Sequence, residues 1–254
     1  MSTTSPNNKR IVSLDVSTLS YSASLAKIVD YAKKREPSYA CFANVHMIIE
    51  AYDEPHFKEQ VNTATLVCAD GMPLVKAIQL KYGQTIERVA GMDMMPSLLH
   101  EAERAGLSVY FFGSTQETLE KIATKAQDKH PSLQIAGYYS PPFRPLSEEE
   151  ESEIAKKIND TEANLVFVAL GCPKQEKWMA RNSKHIKAVL LGVGGAFPVF
   201  INEQKRAPKW IRDLSLEWLF RLVQDPKRLF KRYFYTNSKF LLLFLRQYIF
   251  KTNS

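Results

Sequence analysis

The sequence predicts an α/β protein: a mainly parallel sheet covered by helices on both faces, extended at its C-terminus by amphipathic helices. Three observations predict it. Apolar runs of strand length recur along the chain, longer helix-like segments separate them, and the positive charge is concentrated at one end. Continuous rather than alternating apolar runs mark strands buried on both faces, and repeated strand–helix alternation marks a parallel sheet.

The predicted strands are residues 11–15, 39–45, 64–69, 108–113, 134–138, 165–170 and 188–193, together rich in Val, Ile, Phe and Tyr. Between them lie SLAKIVDYAKKRE, MPSLLHEAERAG, TQETLEKIATKAQDKH and SEEEESEIAKKIND. In the last, Ser147 followed three residues later by Glu150 spells a capping box that starts a helix. In the tail, Pro208 and Pro226 stand where helices can begin, and Asp225 offers an N-cap to the second. Ile211, Leu214, Trp218 and Leu222 share one apolar stripe at helical spacing, and KRLFKRYF follows Pro226. Two or three amphipathic helices are expected there. The division expected is a core of residues 1–204 and a basic, membrane-directed appendage of residues 205–254.

Composition limits what such a protein does. The 254 residues are 45% hydrophobic and 24% charged, an ordinary globular balance with room for one large core or two small ones. Residues 205–254 hold 12 of the 34 Lys and Arg but only 3 of the 27 Asp and Glu, a net of +9 that leaves −2 on the first 204. A basic block on a nearly neutral body calls for a polyanionic partner, a nucleic acid or an anionic membrane surface. The polar start MSTTSPNNKR has no apolar h-region, which argues against a secretory signal. Cys41, Cys68 and Cys172, odd in number and widely spaced, read as free thiols of a reducing cytosol. The tail's longest uncharged apolar run, FLLLFL, falls far short of the roughly 18 residues that span a bilayer.

Ligands of open α/β sheets bind beyond the carboxyl ends of the strands, and polar or glycine residues follow nearly every strand here. Asp70, with Gly71 after it, is either a general base raised by partial burial or a helix N-cap. Asn44 is either a turn residue or a ligand contact. Arg88, in RVAGMD, is either a phosphate-holding guanidinium or half of a surface ion pair. GCPKQEKW places Gln175 in the first turn of a helix, where free N–H groups favour anions, although simple helix initiation explains the same letters. GVGGAF has Gly192 and Gly194 in the spacing of a dinucleotide loop but Phe197 in place of the third glycine, so Gly194 is better read as part of a flexible turn over a phosphate. There is no P-loop, G-x-S-x-G elbow, His-x-x-x-His pair or D-x-D pair, and the five histidines are scattered. Neither a cofactor nor a metal is expected.

Taken together, FANVHMI, ADGMPLV, ERVAGMDMM, VALGCPKQEKW, GVGGAFPVF and KRAPKWIRDLSLEWLFRLVQDPKRLFKRYF resemble the WecG/TagA/CpsF glycosyltransferase family over nearly the whole chain. The resemblance implies a Rossmann-like α/β core with a C-terminal membrane-directed appendage. It also implies inverting, metal-independent transfer of an N-acetylmannosamine-type sugar from a UDP-sugar to a polyprenyl-diphosphate-linked saccharide at the cytoplasmic membrane face. By the same resemblance Asp70 matches the catalytic base, and Asn44, Arg88 and Gln175 match pocket residues. Arg221, Arg228 and Arg232 match appendage arginines that hold a diphosphate. Phe42 stands where many members have Thr, and Pro73 where several have Gly. The partners expected are therefore the sugar donor, the lipid-linked acceptor and an anionic membrane surface met by the tail. A homo-oligomer sheltering that tail is compatible with its composition. Nucleic-acid binding through the basic tail would leave the strand-end cluster unused, and an NAD-dependent oxidoreductase would need the missing glycine spacing.

Overall fold

Six of the seven predicted strands pair into one all-parallel sheet in the computed structural model, which describes residues 7–213 and 215–250. The chain opens with a hairpin, β1 (Asn8–Ile11) and β2 (Leu14–Ser17), then α1 (Tyr21–Lys34) and β3 (Ser38–Ala43). Next come α2 (Val45–Asp53), α3 (Pro55–Asn62), β4 (Leu66–Ala69), α4 (Met72–Tyr82) and α5 (Gly91–Ala105). β5 (Ser108–Gly113), α6 (Gln116–Lys129), β6 (Gln134–Tyr139), α7 (Glu148–Asp160) and β7 (Leu165–Ala169) follow. The core ends with α8 (Lys174–Asn182), β8 (Val189–Gly192) and α9 (Ala196–Phe200), and the tail folds as α10 (Lys209–Asp213), α11 (Glu217–Gln224) and α12 (Pro226–Ile249).

The sheet order is β4-β3-β8-β7-β5-β6. Successive side chains of a strand point to opposite faces, so continuous apolar runs supply two cores at once. Cys41, Val67, Phe112, Val168 and Leu190 pack on one face; Phe42, Leu66, Phe111, Phe167 and Leu191 pack on the other. The Ser147–Glu150 capping box forms as expected, and Asp225 caps α12 by accepting the Arg228 N–H.

The segment 11–15 departs from expectation. It is no strand of the main sheet but straddles the turn of the antiparallel hairpin, with Ile11 paired to Leu14. A two-residue hairpin connection needs positive φ, and Val12 takes it at 54°. Arg10 and Asp15 brace the pair through two 2.6 Å bonds.

The tail's first apolar stripe is also split. Ser215, at φ 64°, takes the left-handed conformation between α10 and α11, so Ile211 lies on one helix and Trp218 and Leu222 on the next; Leu214 lies outside the described residues. α12 lies on α2, its Phe240 and Phe244 joining the core. Gln247 accepts the Val12 N–H at 3.0 Å, Tyr235 donates to Asp53 at 2.8 Å, and Lys239 pairs with the same aspartate. No described helix is long and apolar enough to cross a membrane. All three cysteines are free.

Gly113 closes β5 at φ 102°, and a Cβ there would lie 2.6 Å from the Ala169 carbonyl oxygen of the neighbouring strand. Backbone cannot step aside as a side chain can. Gly113→Ala is expected to destabilise the fold by about 1–3 kcal/mol, read as a lower urea midpoint at unchanged slope; an unchanged midpoint would show that the β5–β7 junction yields freely.

Candidate active site

The parallel register builds the site. Ala43 stands opposite Ala69, so the next residues, Asn44 and Asp70, leave adjacent strands side by side. The N–H groups of Asp70 and Gly71 both donate to the Ala43 carbonyl, at 2.9 and 3.3 Å. Asn44 is exposed and caps α2, its Oδ1 accepting the Met47 N–H at 3.1 Å. The helix after Asp70 is not capped by it: Gly71 holds the N-cap position of α4 and no side chain caps that end. Among the described residues the Asp70 carboxylate receives no hydrogen bond. Burial raises its pKa to about 6, against the pull of Arg88 and, next, Arg221. An unbonded carboxylate that titrates just below neutrality is equipped to accept a proton.

Cations frame it. Arg88 donates to Glu217 of α11 at 2.7 Å and to Asp93, in the first turn of α5, at 3.3 Å. Asp93 also takes Arg206 at 2.7 Å and faces Arg212 at 4.0 Å. Arg221 lies 3.7 Å from Glu217 and 2.9 Å from the Met92 sulfur, beside the Gly194–Gly195 turn. The tail is thus drawn over the strand ends by charge. The three predicted tail arginines part ways here: Arg221 joins the Asp70 cluster, whereas Arg228 sits exposed at the start of α12, paired with its own cap Asp225. Arg232 lies over the Tyr233 ring and near His46, whose pKa burial, with the charge of Arg232, lowers to about 4. Phe42, in the place of the family's threonine, is buried with its ring against Gly91 at the start of α5.

Gln175 is buried rather than open to the cleft. Its Oε1 accepts the Gly171 N–H at 3.1 Å, and its Nε2 donates to the Gly192 carbonyl at 3.0 Å and to Glu176 at 2.7 Å. It therefore ties the exits of β7 and β8 together. Gly194, at φ 21°, leaves it space: a Cβ there would stand 2.8 Å from Gln175 Oε1. Beneath it Glu176 is wholly buried, and that burial raises its carboxyl to about 7, opposed by the Gln175 hydrogen bond.

Sequence reasoning passed over Glu176, Arg206 and Glu217 as site residues. Glu176 shares the buried face of α8 with Met179 at i, i+3, a periodicity that its charge obscures. Arg206 and Glu217 lie inside RAP and LEW, motifs that carried the family resemblance but no individual role. Asp93 and Glu217 both engage arginines.

A carboxylate free of hydrogen bonds among the described residues, set between cations at the carboxyl edge of an open parallel sheet, has the chemistry that group transfer to or from an anion would use. The chain belongs to the glycosyl transferase WecG/TagA/CpsF family, which it matches over residues 9–254. It is 29% identical to the N-acetylglucosaminyldiphosphoundecaprenol N-acetyl-beta-D-mannosaminyltransferase of Bacillus subtilis (strain 168), in an alignment covering 81% of each chain. The protein is a glycosyltransferase, as its motifs implied.

The buried Glu176 makes a test of the frame. Its folded pKa, about 7, stands above the ordinary 4.5, so its contribution to stability is fully present below about pH 4.5 and is lost as pH rises through 7. Glu176→Gln keeps the shape without the ionisation. The variant is expected to match wild type near pH 5 and to exceed it at pH 8.5 by on the order of 1–3 kcal/mol. Thermal melts at the two pH values check this; a constant gap would mean that Glu176 does not titrate in the fold.

Proposed function

We propose that this chain transfers an N-acetylmannosamine-type sugar, or a related hexose, from a UDP-sugar to a polyprenyl-diphosphate-linked saccharide. It does so with inversion and without a metal, at the inner face of the cell membrane, in cell-surface polysaccharide synthesis. The observation that carries the reading is the Asp70 carboxylate, free of hydrogen bonds among the described residues and held near pH 6 between Arg88 and Arg221. Family membership and the acceptor named for the Bacillus relative support it.

In the proposed step Asp70 takes the proton of the acceptor hydroxyl while that oxygen forms a bond to the anomeric carbon. The bond from that carbon to the UDP oxygen breaks, and its electron pair leaves with UDP. Arg88, Arg206 and Arg221 supply charge to the departing diphosphate. Asn44, beside Asp70, offers an amide to the sugar. Gln175 and Gly194 act through the loops they hold, and Arg232 extends the cationic surface toward the lipid diphosphate, with Arg228 at its outer rim.

The tail supplies the membrane contact. Phe230, Phe234, Leu241 and Leu245 are exposed on α12 at i, i+4, i+11, i+15, one continuous stripe. Lys227, Arg228 and Lys231 flank its first turns. Each cation near an anionic leaflet adds about 1 kcal/mol, and the aromatic rings insert at headgroup level.

Two experiments test the proposal. Acceptor-dependent UDP release from a panel of UDP-sugars should be insensitive to EDTA, fall as pH drops through about 6, and decrease about 10²–10⁴-fold in Asp70→Asn. Wild-type rates in that variant would remove Asp70 from the mechanism. Replacing Phe230, Phe234, Leu241 and Leu245 together by Ser should abolish sedimentation with anionic vesicles while leaving the far-UV spectrum unchanged. Retained sedimentation would move the membrane contact elsewhere.

A further inference from the structure

The five histidines look scattered in sequence, yet the fold brings two of them together with a glutamate, well away from the transfer site. We propose that His100, Glu103 and His130 form a binding site for a divalent transition-metal ion of the zinc class. Their candidate donor atoms all lie within 4.8 Å of one another. Zinc bonds of about 2.0–2.2 Å in a tetrahedral arrangement put donors roughly 3.4 Å apart, a change within reach of small side-chain rotations.

Three features make the group more than a chance encounter. His100 and Glu103 stand at i, i+3 near the C-terminal end of α5, and His130 is the C-cap of α6, so the negative ends of two helix dipoles converge on the same point. The glutamate is already oriented: its Oε1 accepts the Ser132 N–H at 3.0 Å, which leaves Oε2 facing His130 Nδ1 at 3.1 Å. Such an outer hydrogen bond fixes a ligand carboxylate in metal sites. The adjacent cations are engaged elsewhere, Arg104 with Glu101 at 2.9 Å and Lys129 over the Phe200 ring. Two imidazoles and one carboxylate suit zinc better than magnesium or calcium. His100 is exposed, so the ion has an entry path and a water completes its coordination. If Nδ1 of His130 takes the ion, the neutral ring carries its proton on Nε2, and the ion replaces the Nδ1 contact with Glu103.

The site lies about 15 Å along α5 from Asp93, so its role is to tie the end of α5 to that of α6, and it is independent of the transferase reading. The test uses the full chain without an affinity tag, stripped of metal and titrated with Zn²⁺, with retained zinc measured after desalting. Co²⁺ serves as a spectroscopic probe. The expected result is one ion per chain, a rise in melting temperature with Zn²⁺, and visible Co²⁺ absorption of tetrahedral type. His100→Ala and His130→Ala should each weaken binding at least about tenfold while melting like wild type in EDTA. No retained zinc, or equal retention by the double variant, would overturn the site.

Discussion

The ion pair between Arg88 and Glu217 is the contact on which the site depends. It joins the loop before α5 to α11 of the tail at 2.7 Å, with both side chains less than one-fifth exposed. Partly withdrawn from water, such a pair is strong once formed and costly to break from one side only. Around it stand four arginines, Arg88, Arg206, Arg212 and Arg221, and three carboxylates, Asp70, Asp93 and Glu217. With Asp70 ionised the cluster keeps one positive charge in excess. On the proposed function, a diphosphate entering the cluster would exchange partners with Asp93 and Glu217 instead of meeting bare cations, so the arginines that tie the tail to the strand ends would also receive the anion. The arrangement also acts on Asp70: burial chiefly raises its pKa, Arg88 and Arg221 lower it, and Glu217 and Asp93 add smaller upward shifts.

This cover works only over a rigid floor. The β3–β4 register sets Asn44 and Asp70 abreast, and the Gln175 amide ties the β7 and β8 exits through two hydrogen bonds while a third holds it to Glu176. Both devices rest on strands filled on each face by separate cores, so neither exit can shift without repacking one of them. Glu176 belongs to the floor as well: it accepts from Gln175, and burial raises its carboxyl toward neutrality so that the interior disfavours its charged form.

Local pattern carried a reader far in this chain and then stopped for a physical reason. Strand runs, the Ser147 capping box and the Asp225 cap are encoded within a few residues, and each was legible. The hairpin at Val12 was not, because its apolar letters read like one strand and only a positive φ in the middle divides them. In the candidate site, the side-by-side placement of Asp70 and Asn44 could be anticipated because both stand at the ends of predicted strands. Glu217, Arg206 and the buried role of Gln175 could not, since they depend on contacts more than a hundred residues away or on which side of α8 faces inward. The pairing of His100 with His130 is likewise set by how two helices end.

The tail's unusual composition follows from α12 meeting two surroundings at once. Leu229, Phe240, Phe244 and Gln247 face the body, while Phe230, Phe234, Leu241 and Leu245 face outward. Two neighbouring apolar stripes make a helix apolar over much of its circumference, which would ordinarily be buried in a core; here interleaved Lys and Arg keep the outward stripe compatible with water. Because the inward side completes the core around α2, the outward side can meet a lipid surface without the helix leaving its seat. With the proposed membrane contact made, Asp70 would keep a fixed position relative to that surface. On the proposed function such a constraint is needed, because a lipid anchor would set the acceptor's reach and Asp70, as the proposed base, would have to be held within it.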